Sequence, residues 1–269
     1  MGESGSWVVF CHGLFGQGKN WTQIAKVTAE RHRVLLLDMP QHGRSEWTPD
    51  FDYLDAADQV AAALPDEPVA VVGHSMGGKI AMVLALLHRE SVERLCVVDV
   101  APVAYGTARS FDRYVDVMRG LDLASLASRA DADRALTEAV PDSVVRGFLL
   151  QNLRRHHDAA QSGPGWYWQP NLRVIGDRLD VITGWPAERL AEVPPYGGPV
   201  LWVRGDRSDH VGDEHAEAMA ALFPRVRKVT VKGSGHWVHS EQPAAFTSVV
   251  RAFLERATAA PTSGSPGGN

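Results

Sequence analysis

The stretch Val69-Ala70-Val71-Val72-Gly73-His74-Ser75-Met76-Gly77-Gly78-Lys79 organises the reading of the whole chain. Val69–Gly73 is a short, Val-rich apolar run, the pattern of a strand buried on both faces. From Met76 to Arg89 the spacing becomes that of a helix. A single hydroxyl, Ser75, stands at the turn between them. Glycines on either side let neighbouring chain approach without Cβ clashes. A serine at so sharp a turn sits in strained backbone, with its hydroxyl held beside a helix N-terminus, where partial positive charge favours a developing anion. Gly-x-Ser-x-Gly alone is a modest signal; between a strand and a helix it is a strong one. The plainer alternative is a serine that only caps the helix.

Five more runs look like buried parallel strands: Trp7–Cys11, Arg33–Asp38, Arg94–Asp99, Pro199–Arg204 and Val226–Val231. Helix-length segments separate or follow them, about Trp21–Arg31, Tyr53–Leu64, Asp213–Leu222 and Pro243–Arg256. Strand and helix alternate, so the expected core is a parallel sheet with helices on both faces. The alternation breaks once. Between Asp99 and Pro199 no convincing strand is visible, whereas Ser110–Arg119, Arg129–Ala139 and Ser143–Arg155 have helical spacing. A structureless loop of that length is implausible, so residues 102–195 are expected to form a helical cap. Residues 7–101 and 196–257 then form the core, and 258–269, rich in Ala, Pro, Thr, Ser and Gly, a disordered tail.

Other residues complete a chemistry around Ser75. His12-Gly13-Leu14-Phe15-Gly16 directly follows the first strand, and a glycine-rich turn there can aim the Leu14 N–H at a reacting carbonyl, alongside that of Met76. The chain has 11 histidines, so a lone histidine means little. His236 stands out because Gly233-Ser234-Gly235 can carry it over the sheet edge; His239 lacks that setting. A base needs an orienting carboxylate, and three are placed at strand ends: Asp99, Asp206 and Asp209. Neighbouring strands lie about 4.8 Å apart, so any of the three could reach the far nitrogen of His236. Gly73 with Gly78-Lys79 imitates a phosphate loop, but Ile80 stands where that motif needs Ser or Thr for magnesium; Lys79 reads as a helix residue.

These residues resemble those of the α/β-hydrolases. More closely, the chain is similar to small serine esterases, the bacterial short-chain acyl esterases related to the mitochondrial abhydrolase-domain proteins. The resemblance rests on His12–Gly16, on Asp38 with His42-Gly43 and Ser45, on Gly73–Lys79, on Val98-Asp99-Val100-Ala101-Pro102 and on Gly235-His236-Trp237-Val238-His239, and only loosely on the cap. It implies a triad of Ser75, His236 and Asp99, an oxyanion hole from Leu14 and Met76, and no metal or cofactor. The wider fold takes its acid from a slot that here falls near Ser208, which cannot serve, so Asp206 and Asp209 stay open as alternatives to Asp99. The fold usually opens with two further strands ahead of the one feeding the oxyanion loop; here six strands are expected, with Arg33–Asp38 at an edge where a homodimer could pair.

Composition narrows the classes. With 27 Lys+Arg against 32 Asp+Glu, the formal charge of −5 supplies no basic field for nucleic acid or an anionic membrane. No apolar run reaches the ~18 residues of a membrane span, and no signal peptide is visible, so the expected compartment is cytoplasmic. Cys11 and Cys96 should lie on strands roughly 9–10 Å apart, too far for a disulfide. The expected substrate is a small acyl ester or thioester, bound near Phe15, Trp168 and Trp237, with the cap aromatics Tyr105, Phe111, Phe148, Trp166, Tyr167 and Trp185 shaping an apolar cleft. The run Arg154-Arg155-His156-His157 is either an anion contact or a solvated helix face. Competing readings on the same scaffold are a lyase, an acyltransferase and a ligand-binding receptor.

Overall fold

Strands that are apolar on both sides must be covered on both sides, and the computed structural model, which describes residues 1–106, 109–156 and 165–255, shows how. The strands are β1 (Trp7–Cys11), β2 (Arg33–Leu37), β3 (Val69–His74), β4 (Val92–Val98), β7 (Val200–Gly205) and β8 (Val226–Val231). They form one parallel sheet in the order β2-β1-β3-β4-β7-β8. The alternation of side chains divides each strand between two cores. Val9, Val71, Leu95 and Val97 pack with α2 (Tyr53–Ala62) and α3 (Met76–Leu87). Val8, Phe10, Val72 and Val98 pack with α1 (Thr22–Thr28) and α11 (Pro243–Leu254). The alpha/beta-hydrolase architecture with six strands is thus present, and the element ends differ from those read in the sequence by a few residues.

The chain runs outward from β1 to β2, returns to β3 on the other side of β1, and continues outward to β8. The reversal lies between β1 and β3, where an open parallel sheet forms a crevice at the carboxyl ends of its strands. The loop after β1 and Ser75 after β3 flank that crevice. Close packing there explains two glycines. A Cβ at Gly77 would overlap the carbonyl oxygens of Cys11 and His12, and one at Gly73 the carbonyl of Gly77. Cys11 and Cys96 are free and buried, with β3 between their strands and on opposite faces of the sheet.

The β2 edge is partly occupied. Met1 exchanges both backbone hydrogen bonds with Val34, at 2.8 and 2.6 Å.

The segment between β4 and β7 contains α4 (Arg109–Gly120), α5 (Arg129–Leu136), α6 (Ser143–Leu150), α7 (Leu172–Asp177) and α8 (Leu179–Thr183). It is not purely helical, contrary to the sequence reading. β5 (Leu153–Arg155) pairs antiparallel with β6 (Trp166–Trp168). Three-residue strands are too short to announce a period of two, and Leu153, Trp166 and Trp168 are buried while Arg155 and Tyr167 face out. The helix read over Ser143–Arg155 therefore ends at Leu150. Two further helices, α9 (Ala216–Leu222) and α10 (Val238–Glu241), follow β7 and β8. Among the described residues no helix is long and apolar enough to cross a membrane. His157 and the tail 258–269 lie outside the described residues.

Candidate active site

Ser75 adopts φ 52°, ψ −122°, a left-handed conformation that costs a non-glycine residue about 1–3 kcal/mol. Its backbone is held from both sides: its N–H donates to the Val98 carbonyl at 3.0 Å, and its own carbonyl accepts from Gly78 and Lys79 at 2.8 and 3.0 Å. It occupies the N-cap position of α3, yet its side chain makes no capping bond. The hydroxyl is therefore left to the crevice, against the plainer reading of a cap.

Asp99, one residue past β4, also has a positive φ, 51°, and is fully buried. A buried carboxylate must be satisfied by donors, and this one has three. Gly205 N–H donates to Oδ1 at 3.0 Å, and Oδ2 accepts from the Ser208 hydroxyl and from His236 Nδ1 at 2.8 Å. An acceptor-only carboxylate makes Nδ1 the protonated nitrogen, which leaves a lone pair on His236 Nε2. His236 comes from the loop between β8 and α10, and its carbonyl accepts from His74 Nε2 at 2.9 Å. Of the three candidate acids, Asp99 alone meets His236. Asp206 instead accepts from Ser234 N–H at 3.1 Å, and Asp209 is solvent-exposed, 3.4 Å from His210.

The loop after β1 is splinted by two buried imidazoles that sequence reasoning left without a role. Phe15, at φ 59°, donates its N–H to His42 Nε2 at 3.1 Å, and His42 Nδ1 donates to the Pro40 carbonyl. His12 Nε2 accepts from Met39 N–H at 2.9 Å, and its Nδ1 donates to the Gly13 carbonyl at 2.8 Å. Asn152, from the segment between β4 and β7, donates to the Phe15 carbonyl at 2.7 Å and accepts from Gln17. The Gly16 N–H donates to the Gly13 carbonyl at 2.9 Å, whereas the Leu14 and Met76 N–H groups have no partner among the described residues.

Two cavities meet at Ser75, Leu14 and Phe111. The first, about 40 Å³, is lined by Phe15, Phe148, Leu149, His236 and Trp237. The second, about 230 Å³, is lined by Met76, Lys79, Val100, Tyr105, Thr183 and His210. Phe15 and Trp237 thus lie where the sequence placed them. Trp168 does not: it is buried in β6 and borders a separate surface groove with Trp47 and Arg119. Trp166 likewise packs inside the hairpin region, with its indole N–H on the Leu126 carbonyl.

Further contacts emerged only in three dimensions. His210 stacks on His236, with ring centroids 4.0 Å apart and 23° between planes. Tyr105 accepts from Ala101 N–H at 2.6 Å and donates to the His210 carbonyl at 2.7 Å, tying the loop after β4 to that after β7. Asp99, His210 and His236 are also the one group among the described residues whose donor atoms, within 4.8 Å of one another, could converge on a metal ion. Asp99 already has three hydrogen-bond donors, so the cluster needs no ion to be satisfied.

Burial keeps most of these imidazoles neutral. It depresses His12 to about 4, His42 and His239 to about 3 and, together with the nearby His236, His210 to about 4; His74 is held well below the ordinary value of 6.5. His239, the other candidate base, stacks on Trp21 with centroids 4.2 Å apart. As pH falls below 6.5, the unfolded chain takes up these protons and the folded chain does not. Stability is therefore present above pH 6.5 and is lost as pH falls toward the depressed values. At pH 5 each such group costs about 2 kcal/mol, and a few of them together rival the whole stability of a domain. Acid unfolding followed by near-ultraviolet circular dichroism is expected to have its midpoint above pH 4, with uptake of more than one proton. Full native signal at pH 3 would contradict the burial of neutral imidazoles.

The chain is similar to known proteins over most of its length. Residues 6–243 match the family described as alpha/beta hydrolase fold. The sn-1-specific diacylglycerol lipase of Mus musculus is 36% identical over 256 residues, 92% of this chain and 80% of that protein. Esterase YbfF of Escherichia coli (strain K12) is 28% identical over 250 residues, 92% of each. Among solved structures, a marine microorganism esterase superposes with a TM-score of 0.86 at 30% identity, covering 94% of this chain and 96% of the other. Sheet order, strained serine and sequence kinship converge, and the chain belongs to the alpha/beta hydrolase fold family, beside members named as esterases and lipases.

Proposed function

We propose that this chain is a serine esterase that cleaves small acyl esters or thioesters through an acyl-enzyme, with Ser75 as nucleophile, His236 as general base and acid, and Asp99 as the orienting carboxylate. The observation that carries the reading is the uncapped, left-handed Ser75 in one cavity with His236, whose far nitrogen is held by buried Asp99. In this reading His236 Nε2 takes the Ser75 proton as the oxygen attacks the ester carbonyl. The carbonyl oxygen becomes an oxyanion accepted by the Leu14 and Met76 N–H groups, each such donor contributing about 3 kcal/mol to the transition state. The tetrahedral species collapses, and His236 delivers its proton to the departing alcohol or thiol. Water then repeats the sequence on the acyl-enzyme, releasing acid and restoring Ser75. Asp99 keeps Nδ1 protonated and stabilises the imidazolium without itself taking the proton.

Small substrates suit the two cavities, of about 40 and 230 Å³. Residues 102–195 act in this reading as the cap that sets acyl preference, since Tyr105, Phe111 and Phe148 line the cavities. The kinship with a diacylglycerol lipase and with esterases supports ester chemistry over a lyase or receptor role.

The test is active-site labelling beside turnover. A fluorophosphonate is expected to add once, at Ser75, and to extinguish hydrolysis of p-nitrophenyl esters from acetate to decanoate. Labelling of a protein that turns over none of these esters would overturn the esterase reading in favour of a receptor or lyase.

A further inference from the structure

Lys79 lies one helical turn after Ser75, in a setting unusual for a cation. Its side chain is buried against the second cavity, which it shares with Ser75. Its ammonium donates to the carbonyls of Thr183, at 2.8 Å, and Gly184. It lies 4.7 Å from the centre of the Tyr105 ring and 6.0 Å from that of Tyr53. An ammonium has three donors, so two carbonyls leave one unused. Among the described residues no carboxylate pairs with it. Asp99 is committed to Gly205, Ser208 and His236, and Asp209 borders the same cavity but turns its carboxylate to solvent beside His210. A buried cation without a counter-ion is costly, and here it borders the space next to the reacting hydroxyl.

We propose that the second cavity selects acyl esters whose acyl chain ends in a carboxylate, with Lys79 as the residue that recognises that anion. The proposal rests on the esterase reading and adds a substrate class to it. Ser75 and Lys79 line the same cavity of about 230 Å³, so a carbonyl at Ser75 and an anion at Lys79 would belong to one short molecule, as in a dicarboxylic half-ester. Burial lowers Lys79 to about 7, so its charge is poised to be restored by a bound anion. The other ionisable groups around it hold their state over the same range: burial raises Tyr53 and Tyr105 and keeps His210 neutral with a value of about 4.

The experiment compares matched esters of one leaving group, the mono-p-nitrophenyl ester of glutaric acid against p-nitrophenyl valerate, after subtraction of the uncatalysed rates. The readout is the ratio of their kcat/KM values. In the wild type at pH 6 the charged ester is expected to equal or exceed the neutral one. Lys79→Met is expected to lower the ratio at least tenfold, chiefly through KM of the charged ester. Lys79→Gln, which keeps a donor for the Thr183 carbonyl and so guards against simple loss of folding, is expected to lower it similarly. In the wild type the ratio should also fall as pH rises through about 7, a response that a purely structural lysine would not give. A ratio unchanged in both variants, or a wild type that handles the charged ester less than a tenth as well as the neutral one, overturns the proposal and leaves the esterase reading standing. Turnover of neither ester by the folded wild type overturns both.

Discussion

Ser75→Ala is expected to lower kcat/KM for p-nitrophenyl butyrate by a factor of about 10⁴ or more, while the protein keeps its circular dichroism and its melting temperature within a few degrees. The size follows from what is removed. In the proposed mechanism, loss of the hydroxyl removes the covalent path and leaves only the oxyanion donors and substrate binding, which give a residual acceleration over water. A factor of 10⁴ corresponds to about 5.5 kcal/mol of transition-state stabilisation. The fold should tolerate the change because the hydroxyl makes no capping bond, and the bonds that hold the turn come from backbone atoms of residue 75 that alanine also has. Steady-state rates with the purified variant, free of wild-type contamination, check it. A variant that retained a tenth of the activity would remove Ser75 from the mechanism.

Asp99→Asn should be nearly as damaging, with kcat down about 10³- to 10⁴-fold. The carboxylate accepts three hydrogen bonds at once, from Gly205 N–H, the Ser208 hydroxyl and His236. An amide offers one acceptor oxygen and an NH2 that cannot accept. Whichever way it turns, at least one of these contacts is lost, and an NH2 facing His236 would favour the tautomer protonated on Nε2, with no lone pair for the Ser75 proton. Asp206→Asn and Asp209→Asn are expected to keep activity within a few fold. Asp206 holds the Ser234 N–H in the loop that carries His236, so its effect is one of loop placement. Asp209 is exposed. Parallel kinetics of the three variants decide the matter, and near-normal turnover by Asp99→Asn would sink the assignment.

The fold was legible because parallel strands covered on both faces read as unbroken apolar runs, and Val69–Gly73 leading into Ser75 is such a run. The loop position of His236 was legible from the glycines before it, and the strand-end position of Asp99 from the apolar run ahead of it, but that Asp99 rather than Asp206 or Asp209 meets His236 needed coordinates. What stayed hidden is defined by partners far along the chain. His12 and His42 acquire roles only when Met39 and Phe15 N–H groups come within 3.1 Å of them. His210 gains its place by stacking on a ring 26 positions away, and nothing in its local sequence marks it. Lys79 read correctly as a helical residue, but its burial depends on Thr183 and Gly184, contributed by the end of α8. Trp168 failed as a pocket residue for a related reason. An aromatic in a three-residue strand faces inward or outward according to a pairing that the sequence does not declare.

Asn152 belongs to the segment between β4 and β7, yet it donates to the Phe15 carbonyl and accepts from Gln17, so the segment over the cavity is stitched to the loop that presents the Leu14 amide. The consequence concerns any exchange of this segment: replacing it would break both bonds and so disturb the loop after β1 as well. A segment grafted from a relative is expected to hold the loop after β1 in place best when that loop is transferred with it.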